Sequence, residues 1–395
     1  MFGWLRSRAA AAAGLLMMAT GAAMPVSVQA EPGVFPDRIV FGQAAALEGP
    51  ASALGRGMRE GILAAFAEAN ATGGVNGRKL ELVSEDDGYE PKRTIEATKK
   101  LIDNNVFALI GSVGTPTSAA SKPIAEAAGV PFVGPFTGAD ILRNPFQRNV
   151  VNVRASYFEE TEVMVERLTT DLGIKRIAIL FQDDAFGRAG YDGTVRALSK
   201  RGMQLVAEGT FERNTTAVRG GLLAIRRGEP EAVITIGTYQ PIAEFVRLAR
   251  RIKLNAVFLT VSFVGADALA QDIGAEGDGL VITQVVPFPL DPAQPAVQRY
   301  QAALKASTPE AKPGFVSLEG YLVGRLAIET LRKAGPSPSR SGFLDTLYGT
   351  GAFDIDGLTM RFGSNDNQGL DQVFLTAIRG AGEIKPLESL RELAR

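Results

Sequence analysis

Two spacings of apolar residues alternate along the chain. Short apolar and β-branched runs at 38–41, 79–85, 107–110 and 130–133 predict strands. Between them, residues 57–70 place Ile62, Leu63, Phe66 and Ala69 on one helical face. Pro91 opens a second helix carrying Ile95, Thr98, Leu101 and Ile102, and residues 115–128 predict a third that ends at Gly129. The same rhythm restarts after Arg154. Strands are expected at 176–181, 204–211, 232–236, 257–260 and 279–285, and helices at 161–172, 186–201 and 241–252. The last of these has Ile242, Phe245, Val246, Ala249 and Ile252 in register. A proline-rich stretch at 287–295 is followed by helical segments at 297–306 and 317–334. A β-rich segment at 357–379 then turns at 363–366.

Strands that alternate with helices predict parallel sheets joined by right-handed crossovers. One sheet of this many strands would be unusually wide. The expected class is therefore α/β, with two Rossmann-like doubly wound lobes. The restart at Arg154 and the late β-rich segment assign residues 37–152 plus 288–352 to the first lobe and 153–287 plus 353–395 to the second. In such sheets ligands sit beyond the carboxyl ends of the strands. That directs attention to the loops at 44–54, 86–91, 112–117, 135–140, 182–186, 238–239 and 261–265.

Composition narrows the chemistry. Of 395 residues, 46% are hydrophobic and 22% charged, enough to bury a large core. The formal charge is −1, which gives no electrostatic footprint for nucleic acid. There is no His and no Cys, so imidazole and thiolate metal sites, cysteine nucleophiles and Ser-His-Asp chemistry are excluded. No phosphate-binding G-x-x-x-x-G-K-[ST] loop occurs, and Gly111-Ser112-Val113-Gly114 departs from the dinucleotide spacing. Neither a cofactor nor a metal is expected. Arg6 and Arg8, the apolar run 9–18 and the A-x-A-like Val28-Gln29-Ala30 predict a cleaved signal peptide over residues 1–30, hence a periplasmic protein with no stable membrane insertion. The chain offers no cysteine for a lipid anchor.

One loop carries a candidate binding group. Thr115, Thr117 and Ser118 lie at a predicted helix N-terminus, where free N–H groups, the helix dipole and added hydroxyls attract a carboxylate or phosphate. Thr115 also fits a simple cap. Asp86-Asp87 and Asp183-Asp184 read as turn or cap carboxylates, and Arg226-Arg227 and Arg250-Arg251 as solvated helix ends.

Several strings together resemble the leucine/isoleucine/valine-binding proteins of bacterial ABC importers. They are Glu48-Gly49-Pro50, Gly73-Gly74-Val75-Asn76-Gly77-Arg78, Glu85-Asp86-Asp87, Gly129-Val130-Pro131 and Asp183-Asp184-Ala185-Phe186-Gly187. The resemblance implies a type I periplasmic-binding fold, two lobes joined by three hinge crossovers, and a ligand held in the cleft without catalysis. The implied partners are an amino acid or small carboxylate and an inner-membrane ABC permease. The family's carboxylate-binding hydroxyl falls on Thr115, its next binding loop on Pro135-Phe136-Thr137-Gly138, its aromatic wall on Phe186, and a second aromatic on Thr238 or Tyr239. Its ammonium-pairing acid falls on Ser262, and its small disulfide on Tyr89 and Gly114. Serine cannot neutralise an ammonium. The sequence therefore predicts a carboxylate ligand that lacks the ammonium or tolerates its absence, walled by Phe136, Phe186, Tyr239 and Phe263, unless Glu48, Asp183 or Asp184 reaches in to restore the charge. The rival functions are a periplasmic ligand sensor of the same fold and, more remotely, a cofactor-dependent enzyme.

Overall fold

The β–α alternation closes into two sheets. The computed structural model describes residues 1–2 and 31–394, so the predicted signal segment lies outside the described residues apart from its first two. The first sheet uses β1 (Arg38–Ala45), β2 (Lys79–Asp86), β3 (Ala108–Ile110), β4 (Phe132–Val133) and β5 (Val150–Val151), all parallel, in the order β2-β1-β3-β4-β5. Its connections are α1 (Ser52–Ala71), α2 (Pro91–Asp103) and α3 (Thr115–Ala127).

The chain then enters α4 (Tyr157–Leu172), held at its start by a capping box between Ser156 and Glu159 and stopped by left-handed Gly173. Next come β6 (Ile177–Gln182), α5 (Ala185–Ser199), β7 (Ala207–Phe211), α6 (Arg219–Arg227), β8 (Ala232–Ile236), α7 (Tyr239–Arg251), β9 (Val257–Thr260), α8 (Ala266–Ile273) and β10 (Val281–Gln284). After β10 the chain returns to the first lobe through α9 (Pro295–Ser307), α10 (Phe315–Ala334) and α11 (Arg340–Thr350). A hairpin of β11 (Ala352–Ile355) and β12 (Leu358–Arg361) follows, and β13 (Phe374–Arg379) and β14 (Glu383–Leu387) end the chain. The second sheet reads β14-β13-β10-β9-β8-β6-β7. It is parallel from β10 to β7, and β13 and β14 are added antiparallel.

Small residues fix where α10 docks. A Cβ on Gly61 would lie 1.9 Å from the Ser317 carbonyl oxygen, and one on Gly320 would lie 2.4 Å from that of Met58, so the α1 and α10 backbones nearly touch. The hairpin packs beside them. Phe353 and Phe362 pair edge to face, and Asp356 accepts from Arg325 at 2.7 Å. The segment expected to join the second lobe from Phe353 thus stays with the first through β12, because its apolar face is covered there. The return crossing falls at 362–373, where Asn152 N donates to Asn367 O at 2.8 Å and Gly369 N donates to Asn152 O at 2.9 Å.

Candidate functional site

The strand ends of the two sheets face each other across the cleft. In the first lobe, left-handed Gly111 and Gly114 (φ 63° and 102°) turn the chain from β3 into α3. A Cβ on Gly114 would sit 2.2 Å from the Tyr89 ring, so the aromatic fills the space between the two positions where the family resemblance puts its disulfide. Thr115 begins the helix, fully buried, with Gly114 as its cap. Its Oγ1 lies 2.7 Å from Oγ1 of Thr137, which also accepts from Ala139 N at 3.2 Å. Ser112 and Ser118, on either side of this turn, each bury a hydroxyl without a hydrogen-bond partner. Unsatisfied donors at a helix N-terminus suit a carboxylate.

Thr117 does not share that role. Its hydroxyl donates to the Val113 carbonyl and, at 3.0 Å, to that of Gly114, so it closes its own turn rather than facing the cleft. Gly138 is placed by packing: a Cβ there would lie 2.7 Å from Tyr157 N, whose N–H donates to the Gly138 carbonyl at 2.7 Å.

The aromatic residues meet across the cleft. Phe263 stands 4.5 Å from Phe186, 5.3 Å from Phe136 and 6.0 Å from Tyr89, centroid to centroid, and Phe186 lies 5.5 Å from Tyr157. Phe136 and Tyr89 come from the first lobe, and Phe186 and Phe263 from the second. The Tyr239 hydroxyl accepts from Ala53 N at 3.5 Å, again across the cleft. Beside it opens a cavity of about 680 Å³ lined in part by Leu54, Gly265, Asp267, Phe288 and Phe315.

The charge at the site is not where the sequence directed attention. Glu48 is exposed, and Asp183 is exposed and paired with Arg188. Asp184 caps α5 through Phe186 N and Gly187 N. None of the three restores a carboxylate at Ser262. Glu160 of α4 does so instead: it accepts from Ser262 N at 2.8 Å, from Ser262 Oγ at 3.0 Å and from Thr283 Oγ1 at 2.5 Å. Arg154, in the first crossing and fully buried, hydrogen-bonds to Ser262 Oγ and stacks 4.6 Å above the Phe136 ring. It lies 3.7 Å from Glu160 and, through Nε, 3.7 Å from Glu319 of α10. Burial pushes the Glu160 carboxyl up and the Glu319 carboxyl to about 7, against the pull of Arg154.

Sequence reasoning missed Arg154, Glu160 and Glu319, because an isolated charged residue reads as solvated surface. Only the Ser156-x-x-Glu159 box, which fixes where α4 begins, was a legible hint. Among the described residues no cluster of three or more His, Cys, Asp or Glu could hold a metal ion, and no helix is long and apolar enough to cross a membrane.

Comparison with known proteins follows the same lines. The profile of the periplasmic binding protein family matches residues 38–383. A solved structure of a possible leucine/isoleucine/valine-binding protein from Rhodopirellula baltica is 40% identical, with TM-score 0.87, covering 91% of this chain and 98% of that one. An amino acid binding protein of Pseudomonas aeruginosa is 25% identical over 81% of this chain and 83% of its own length. The leucine-specific-binding protein of Salmonella typhimurium is 24% identical over 79% of this chain and 84% of its own.

Proposed function

The chain belongs to the periplasmic binding protein family and is a binding protein rather than an enzyme, and from that premise we propose that it is the solute-binding component of an ABC importer. It takes a branched-chain amino acid or a related small carboxylate in the inter-lobe cleft and presents it to an inner-membrane permease after export to the periplasm. The observation that carries this reading is the Thr115–Thr137 hydroxyl pair at the α3 N-terminus, facing an aromatic cluster drawn from both lobes. The first end suits a carboxylate and the second an apolar body. Thr115, Thr137 and Gly138 form the carboxylate end, and Phe136, Phe186, Tyr239 and Ser262 line the remainder. The relatives' names, which are of leucine- and amino-acid-binding proteins, support the ligand class.

Calorimetry of the purified protein against leucine, isoleucine, valine, phenylalanine and their deaminated acids tests the reading. Micromolar binding to at least one, about −8 kcal/mol, is expected. Absence of binding to all of them would overturn it.

A further inference from the structure

Resting on that reading, we propose that Tyr89 is a positioning residue whose side chain spans the cleft and holds the Thr115 turn of the first lobe against the aromatic wall of the second.

Tyr89 keeps an unusual backbone. Gly88 and Tyr89 are both left-handed, with φ 57° and 63°. That conformation is easy for glycine and strained for a bulky aromatic, and such strain persists only where the surroundings impose it. Buried Asp87 imposes it here. Its Oδ1 accepts from Tyr89 N at 2.8 Å, its Oδ2 accepts from Thr94 Oγ1 at 3.0 Å, and its carbonyl accepts from Glu90 N at 2.9 Å. The turn is braced from both sides, and the side chain it carries is fully buried between the lobes.

On its own lobe the ring lies against Gly114, where a Cβ would come within 2.2 Å of it, and Gly114 is the residue from which Thr115 starts α3. Across the cleft the ring faces Phe263, 6.0 Å between centroids, and the hydroxyl accepts from Gln182 Nε2 at 3.3 Å. The same Gln182 nitrogen donates to Asp184 at 2.6 Å, and Asp184 caps the helix that carries Phe186. One side chain therefore touches the turn at the carboxylate end, one ring of the opposite wall, and the residue that braces the cap beneath the other ring. A side chain that only filled the core would need neither the strained backbone nor a hydroxyl partnered on the other lobe. When the lobes part, the contacts with Phe263 and Gln182 are lost while those with Asp87 and Gly114 remain. The hydroxyl bond thus counts toward the closed form alone.

The test is Tyr89→Phe, which keeps the ring and removes the bond to Gln182. Tyr348→Phe is the control, because the Tyr348 hydroxyl donates to the Val150 carbonyl at 3.2 Å inside the first lobe. Small-angle scattering of the unliganded chains, dissociation rates of leucine and of 4-methylpentanoate, and urea unfolding are measured on each. The inference expects Tyr89→Phe to show a larger radius of gyration and to release a bound probe roughly two- to tenfold faster, the worth of one neutral hydrogen bond. Tyr348→Phe should change neither. A native radius of gyration or a native release rate in Tyr89→Phe would overturn the inference, and a lower urea midpoint accompanying either one would mark the hydroxyl as core packing only. If the native chain binds none of the amino acids or acids, the functional reading fails by itself, and scattering of unliganded Tyr89→Phe still decides whether the side chain holds the lobes together.

Discussion

Thr115 and Thr137 stand with their hydroxyl oxygens 2.7 Å apart, one at the first turn of α3 and the other in the loop after β4. One proton serves the bond between them, and the Thr137 hydroxyl also reaches the Tyr157 hydroxyl at 3.4 Å, a long bond that an incoming carboxylate can replace. Thr115→Val removes that arrangement at nearly constant volume. A hydrogen bond to a charged group contributes about 1.5–3 kcal/mol, so ligand affinity should fall roughly ten- to hundredfold by calorimetry. Thr117→Val should leave affinity nearly unchanged, because its hydroxyl is committed to the Val113 and Gly114 carbonyls.

Arg154 is the cation that two buried carboxylates share. Arg154→Met strands both in the interior. A loss of about 3–5 kcal/mol in unfolding free energy is expected, read as a lower urea midpoint at unchanged slope.

Among the acids held above their ordinary range are Glu319 at about 7, mainly by burial, and Asp87 at about 6, again mainly by burial and despite hydrogen bonds from Tyr89 N and Thr94 Oγ1. The native state therefore keeps protons that the unfolded chain has lost. The contribution of these groups to stability is greatest below the unfolded values of 4.5 and 3.8, and is lost as pH rises through the folded ones. Melting temperature followed between those limits should show a shallower decline in Glu319→Gln, and likewise in Asp87→Asn, than in the native chain.

At the cleft, Glu90 accepts from Arg213 Nη2 at 2.9 Å and from Asn214 Nδ2 at 2.7 Å, and Asn214 also reaches the Gly88 carbonyl at 3.2 Å. These bonds join the loop after β2 to the loop after β7 without involving Thr115, Thr137 or the aromatic cluster. Glu90→Ala should raise the proportion of open molecules. Partly exposed pairs of this kind contribute up to about 1 kcal/mol, roughly a fivefold change in the open–closed ratio. Small-angle scattering of the unliganded variant should report a larger radius of gyration, and ligand should dissociate faster.

Periodicity made most of the scaffold legible. The apolar runs of β6, β8 and β9 and the stripe of α7 are strong enough to stand without context. Weaker signals failed for identifiable reasons. Residues 204–206 carry the apolar look of a strand but precede the ladder, which starts at Ala207. The eight residues of α8 lie between Gly265 and Gly274, too short a stretch for a helical period to show. Strand β14 alternates exposed charged residues and includes Pro386, a pattern tolerated only at the sheet edge it occupies. At the site, the threonine and aromatic positions could be read because loop placement and family resemblance agree on them. The ionic cluster could not. Arg154 and Glu160 lie six residues apart, but Glu319 is distant in sequence and meets them only through the packing of α10.

The close seam between α1 and α10 also bears on the order in which the molecule can be built. The glycine face of α1 has no partner until Phe315–Ala334 exists. The second sheet likewise acquires β13 and β14 only at the end of synthesis. Neither half is a contiguous stretch that could finish folding while the ribosome is still working on the other. Contacts of such long sequence separation slow folding. Both halves of the molecule are therefore completed only once the stretch from Phe315 onward has been made.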